Sequence, residues 1–306
     1  MTETDVAEKG RAGGIALALT AAVGLGTAIA LARIAHDSGT TALSIATIRT
    51  VFVVLLMYLI CKAAGRNLAV SWPQWLHCCG LGLLAGQMFY GNVGAVKFIP
   101  VGLAALVFFT YPPMVAVMMA VLNRRMPGLV KSAALIGAFS GLWLMLGVSL
   151  DTLDWRGVAL SLSAAVACAA NAVWIQQKMM HVDVLVLTFH MSLVAGVVFV
   201  VATLATGGIV APTTGAGWMA MLGIMVLQGC AVPLYFAAIP RIGAETSAMV
   251  TNLQPVTSIA AAYLLFAETL SPLQFTGGAM VLGSIILMQA HDARTRRRMA
   301  QAAGLS

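Results

Sequence analysis

Apolar residues run along this chain in long blocks that short polar clusters separate. A helix needs about 20 apolar residues to cross a bilayer, and ten blocks reach that length: 13–35, 41–63, 74–96, 101–122, 130–149, 156–177, 184–206, 216–238, 244–266 and 272–291. The pattern predicts an all-α membrane protein of ten transmembrane helices joined by short loops. Inside the ninth block it is interrupted. "VTNLQPVTS" (250–258) places Thr251, Asn252, Gln254 and Pro255 at mid-span, between apolar stretches.

Composition agrees with the blocks. The 306 residues are 60% hydrophobic and 9% charged, with mean hydropathy +0.95, far from soluble globular usage. The spans use up most of the chain, which leaves no room for a soluble catalytic domain or a nucleic-acid-binding lobe. The first span follows a polar tail, "MTETDVAEKGRAGG", and exceeds a signal-peptide core in length, so it is expected to be retained. Five cysteines (Cys61, Cys78, Cys79, Cys168, Cys230) all fall in spans without metal-ligand spacing. They are expected to pack, with no metal, cofactor or disulfide.

The net charge of +7 is explained by its distribution. With a cytoplasmic N-terminus, thirteen basic residues face inside: Lys9, Arg11, Lys62, Arg66, Arg124, Arg125, Lys131, Lys178, Arg241, Arg294, Arg296, Arg297 and Arg298. Three face outside (Arg33, Lys97, Arg156), and Arg49 lies within a span. By the positive-inside rule both termini are expected in the cytoplasm. The "RTRRR" tail is expected to meet anionic lipid headgroups rather than nucleic acid.

The chain also repeats itself. "IALALTAAV" (15–23) answers "VALSLSAAV" (158–166) at an offset of 143, the same offset carries Pro112 onto Pro255, and Ile99-Pro100 answers Ile239-Pro240 at 140. This reads as a five-span unit written twice, 1–150 and 151–306. Five is odd, so the second copy enters the membrane from the opposite side, giving an inverted repeat of the kind found in secondary transporters with a midplane site.

The ten spans, the repeat, the arginine of "ATIRTVFVVLL", and "QPVTSIAAAYLLFAETLSPLQFTGGAMVLGSIIL" across spans 9 and 10 resemble the EamA branch of the drug/metabolite transporter superfamily. Pro255, Glu268, Gly277, Gly278 and Gly283 match its recurring pattern there, whereas Arg125 stands in the first copy where Glu268 stands in the second. The resemblance implies export of amino acids or other small metabolites. Aromatic amino-acid exporters of the YddG type are in the same branch.

Polar groups at mid-span must face neighbouring helices or a wet cavity. Pro255 frees the carbonyl of Thr251, and Pro112 and Pro113 free those of Phe108 and Phe109. These prolines are the expected hinges. Thr110 and Tyr111 flank one weakened turn, and Thr251, Asn252 and Gln254 the other, so both turns are expected to face a common site. The competing reading is a pair of kinked packing helices. Gln87 and Tyr90 share a face of span 3, Gln228 and Tyr235 a face of span 8, and Asn171 and Trp174 a turn of span 6. These extend the expected substrate-binding set, with interhelical hydrogen bonding, or an interfacial anchor for Trp174, as the alternative. Gly82-x-x-x-Gly86 and Gly137-x-x-x-Gly141 are expected to pack helices closely.

Arg49 in span 2 answers His190 in span 7, and a structural role is expected for the arginine. His77 is expected at headgroup depth, and Glu245 and Glu268 at the ends of span 9, within reach of water or of a helix N-terminus. No aspartate or glutamate falls at mid-depth in any span, so carboxylate-centred proton exchange has no seat. The reading is a transporter of the bacterial inner membrane that exports small polar or zwitterionic metabolites, amino acids first, by alternating access. It would act as monomer or homodimer, in contact with membrane lipids. The alternatives are a membrane-embedded enzyme, which would need a cluster of His, Asp or Glu that the chain lacks, an assembly protein, or an exporter of another metabolite class.

Overall fold

The computed structural model describes residues 3–122, 124, 128–147, 154–251 and 253–302. Among them are eleven helical segments and no strand: α1 (Glu3–Asp37), α2 (Ala42–Ala63), α3 (Trp72–Ala95), α4 (Val101–Phe108), α5 (Tyr111–Leu122), α6 (Leu129–Gly147), α7 (Trp155–Lys178), α8 (Val184–Ala205), α9 (Gly215–Thr251), α10 (Leu253–Phe266) and α11 (Pro272–Ala302). Short polar caps set several starts. Thr41 accepts from the Ser44 amide, Ser71 and Gln74 form a capping box with Pro73 in the first turn, and Asp154 and Asp183 accept amides at α7 and α8.

The interior is built of small side chains and the exterior of large ones. Ala18, Ala21, Ala22, Ala30, Ala32 and Ala35 of α1 are fully buried, while Leu55, Leu59, Leu83, Val201, Leu204 and Leu264 are more than half exposed. That is the reverse of a soluble core, and it is what lipid as solvent selects: small residues let helices close on one another and large ones meet the acyl chains. A Cβ at Gly82 would lie 2.8 Å from the Met191 carbonyl oxygen, and one at Gly141 2.6 Å from that of Gly277. Both expected glycine motifs therefore pack, against α8 and α11.

Six helices are long and apolar enough to cross a membrane among the described residues: Ala12–Asp37, Ala42–Ala63, Val101–Leu122, Trp155–Lys178, Val184–Ala205 and Gly215–Val232. Expected spans 5 and 9 hold shorter apolar helices, Ser132–Gly141 and Leu253–Phe266. Span 3 is helical but more polar, since α3 carries Gln74, His77, Gln87 and Asn92, and span 10 lies within α11.

Two boundaries differ from the sequence reading. Span 4 is two helices, broken at Phe109 and Thr110, where Pro112 and Pro113 withhold their N–H groups from the carbonyls of Phe108 and Phe109. The expected connection between spans 8 and 9 at 239–243 is instead helix, since α9 runs unbroken from Gly215 to Thr251. Its partner explains this. α1 packs antiparallel along it, with Gly24 against Leu227 and Ala231 and Leu31 against Gly223. That long contact carries the backbone through Pro240, and the Arg241 guanidinium adds a donor to the Ala237 carbonyl (2.6 Å) in the weakened turn. The helix is described as far as Thr251, and α10 is described from Leu253.

At one end of the bundle the two halves are tied together. The Glu268 carboxylate accepts the Val101 amide (3.0 Å), so it caps α4, and lies 4.0 Å from Arg33, which also donates to the Val96 carbonyl and pairs with Asp37. The helix-end role expected of Glu268 is met. Burial pushes its carboxyl above the usual range, while the Val101 and Gly102 amides and Arg33 draw it down. A folded-state value above the unfolded one favours folding at pH below the ordinary glutamate range, and this contribution is lost as pH rises through the folded value. Glu268→Ala should therefore cost about 1 kcal/mol through the lost cap, read as a lower unfolding temperature in detergent. Glu268→Gln should keep most of the cap and flatten the dependence on pH.

Candidate functional site

The face of α9 that carries Gln228 and Tyr235 organises the middle of the bundle. Two helical turns separate these residues on one side of the helix, and both are partly exposed. Gln228 Oε1 accepts from Arg49 Nη1 of α2 at 2.6 Å, and the guanidinium lies 3.6 Å from the centre of the Phe89 ring of α3. Tyr235 stands in electrostatic reach of Tyr111 at the start of α5, which also meets Cys168 of α7. Tyr111 in turn closes an aromatic triad with Phe108 and Phe109 across the helix break, with centroids 5.5 to 5.8 Å apart. One helix face thus links a buried cation to an aromatic cluster.

On α3, Gln87 is exposed although it sits in the middle of a helix, and its amide donates to Ser163 Oγ of α7 at 2.9 Å. An exposed amide at that depth needs water beside it, because hydrocarbon offers no partner. Tyr90, three residues on, packs on Leu43, Ala46 and Phe199. Gln228 and Tyr235 thus share one face of α9, Tyr235 lies toward Tyr111, and Gln87 meets α7 at Ser163.

Other expected site residues turn out to serve the fold. Asn171 is buried and donates to the Leu81 carbonyl at 2.9 Å, which joins α7 to α3. Trp174 donates through Nε1 to His77 Nδ1 at 3.1 Å, the rings edge to face, and lies over Gly80. The pair joins the first turns of α3 to the last turns of α7. The hydroxyl of Thr110 is fully buried and donates back to the Val107 carbonyl, which satisfies the broken turn from within. Gln254 is half-buried, with its carbonyl accepting from Thr257. Pro113 and Pro255 are buried. The Pro112 and Thr251 side chains and the whole of Asn252 lie outside the described residues.

Four residues in this region escaped the sequence reading of the site: Arg49, Phe89, Ser163 and Cys168. Arg49, for which the family resemblance implies a structural role, is buried. The signal that could have found it was the absence of any mid-span acid to pair with it. His190, its repeat counterpart, sits elsewhere: it bonds the Val186 carbonyl and packs edge-on to Trp75 and Phe189.

The family model described as the EamA-like transporter family matches residues 12–147 and matches again at 155–289. The chain belongs to the EamA-like transporter family. The two matches place an EamA unit in each half, so this member of the drug/metabolite transporter superfamily is a tandem repeat. Solved chains share the fold: one, titled "Crystal structure of protein", is 18% identical, with TM-score 0.65 over 93% of this chain and 99% of that one. No curated protein matches the sequence.

Within the EamA bundle, Asn171 and Tyr235 should separate fold from site. Asn171→Ala leaves a buried carbonyl unpaired and should lower stability by about 1–3 kcal/mol, read by thermal unfolding, with ligand affinity unchanged once folded protein is counted. Tyr235→Leu should still be recovered folded but with weaker ligand affinity, read by the ligand-induced shift of the unfolding temperature.

Proposed function

We propose that the protein is a secondary transporter that exports small polar or zwitterionic metabolites, amino acids first among them, from a bacterial cytoplasm. The observation that supports this most is the exposed Gln87 amide beside Ser163, a watered position inside a bundle whose outer surface is leucine and valine. Family membership supplies the transporter class. The distribution of basic residues favours cytoplasmic termini.

The two EamA units lie as inverted copies, and the halves rock about the region between Gln87, Tyr111, Gln228, Tyr235 and Gln254. The break at Phe109–Thr110 acts as one hinge and the turn preceding Pro255 as the other, since the prolines leave the carbonyls of Phe108, Phe109 and Thr251 without their helical N–H partners. Aromatic rings of Tyr111 and Tyr235 hold the apolar part of the substrate, and Gln254 with the freed carbonyls holds its ammonium group. This proposal fits aromatic amino acids well. With no mid-span carboxylate to carry a proton, flux runs down the substrate gradient.

Counterflow in proteoliposomes tests the proposal. Vesicles preloaded with unlabelled phenylalanine should transiently accumulate labelled phenylalanine, and Gln254→Ala should raise the half-saturating concentration while leaving the amount of folded protein unchanged. Absence of exchange across a panel of amino acids would count against the substrate class. Sustained accumulation driven by an imposed pH difference would count against the gradient-driven mechanism.

A further inference from the structure

We propose that Arg49 is the residue that recognises the substrate's carboxylate, so that the transported class is defined by a carboxylate group. The inference deepens the transport reading above and rests on it for the word substrate, but the site itself stands on geometry.

Arg49 is 2% exposed, and its guanidinium makes one side-chain hydrogen bond among the described contacts, to the neutral Gln228 amide. Its Nε–H is buried without an acceptor. The contrast with other arginines decides the matter. Arg33 lies against Asp37 and Glu268, Arg66 against Asp183, and Arg156 against Asp154. Arg49, the most deeply buried of these, has no carboxylate within ion-pair distance among the described residues, and no span carries an acid at mid-depth that would reach it. A buried cation without a counter-charge is costly, and a residue kept only for packing would be cheaper as leucine or glutamine.

The local arrangement suits a carboxylate. Phe89 covers one face of the guanidinium, leaving the planar edge for in-plane acceptors. That edge offers the paired N–H groups that match two carboxylate oxygens. Gln228 Oε1 already occupies one such acceptor position. Gln228 is partly exposed where Arg49 is not, so a ligand approaches from the Gln228 side and displaces or joins its amide. The same α9 face leads to Tyr235 and Tyr111, which places a carboxylate at Arg49 and an aromatic or aliphatic side chain toward the tyrosines.

The test uses the full chain in detergent, with N-acetylphenylalanine as the anionic probe and phenylalaninamide as the cationic one, read by ligand-induced shift of the unfolding temperature. The anion should stabilise the wild type and the cation should not. Arg49→Gln should weaken the anion's apparent affinity by about thirtyfold or more, as for loss of one partner of a buried charged hydrogen bond. Should that variant fail to fold, Gln228→Glu keeps the test decisive. It supplies a carboxylate from within the protein, and should raise the unfolding temperature of the unliganded protein while abolishing the shift by N-acetylphenylalanine. Equal stabilisation by both probes, no stabilisation by the anion, or an undiminished anion response in Gln228→Glu would each overturn the assignment. Because this readout is binding, failure of counterflow with intact anion binding would overturn the transport reading and leave Arg49 as an anion site.

Discussion

Hydrocarbon offers no hydrogen-bond partner, so every amide, hydroxyl and freed carbonyl within the bilayer must be satisfied by the protein or by water the protein admits. Most of the polar groups in this bundle answer the first way. Ser161 donates to the Ala104 carbonyl, Ser258 to that of Gly26, Thr47 pairs with Thr203, and His36 bridges Thr40 and Val93 carbonyls. These bonds cross between helices and fix their spacing. The Arg49 guanidinium keeps an N–H without an acceptor, and Gln87 and Gln228 remain exposed or partly exposed.

The same constraint accounts for how the halves are joined. Small residues bring α1 and α9 together along most of their length, so α9 stays helical through Pro240. Among the described residues the chain is broken at Phe109–Thr110, where Pro112 and Pro113 fall without such support. Near one end of the bundle, Arg33, Glu268 and the α4 amides connect the first helix, the α3–α4 turn and the α10–α11 turn. The long contact is packed along most of its length, whereas span 4 is interrupted at Phe109–Thr110.

Much of the fold was legible in the sequence because block length and hydropathy report directly on lipid burial, and the offset of 143 reported on duplication, which the family matches at 12–147 and 155–289 reflect. Pro112 and Pro113 marked a real break because a missing N–H acts locally. Ile239-Pro240 misled for the opposite reason, since whether a proline ends a helix depends on its neighbours and α1 is distant in sequence. Site residues were harder to sort. Asn171 and Gln87 are both mid-helix amides, and only the position of Leu81 and Ser163 separates a buried bond from an exposed one. The surroundings of Arg49 could not be read from its own segment, because Gln228 and Phe89, which meet its guanidinium, lie on other helices.

The central claim is that a water-accessible polar region lies inside this apolar bundle, lined by the α3 face that carries Gln87. In a background with Cys61, Cys78, Cys79, Cys168 and Cys230 replaced, Gln87→Cys and Leu55→Cys, on the apolar exposed side of α2, can be compared for reaction with a charged, membrane-impermeant maleimide in sealed vesicles of either orientation. The account predicts that Cys at position 87 reacts readily from at least one side while Cys at position 55, in the middle of α2, reacts slowly from both. Equal, slow labelling at the two positions would mean that Gln87 faces lipid or protein alone, and would contradict the account.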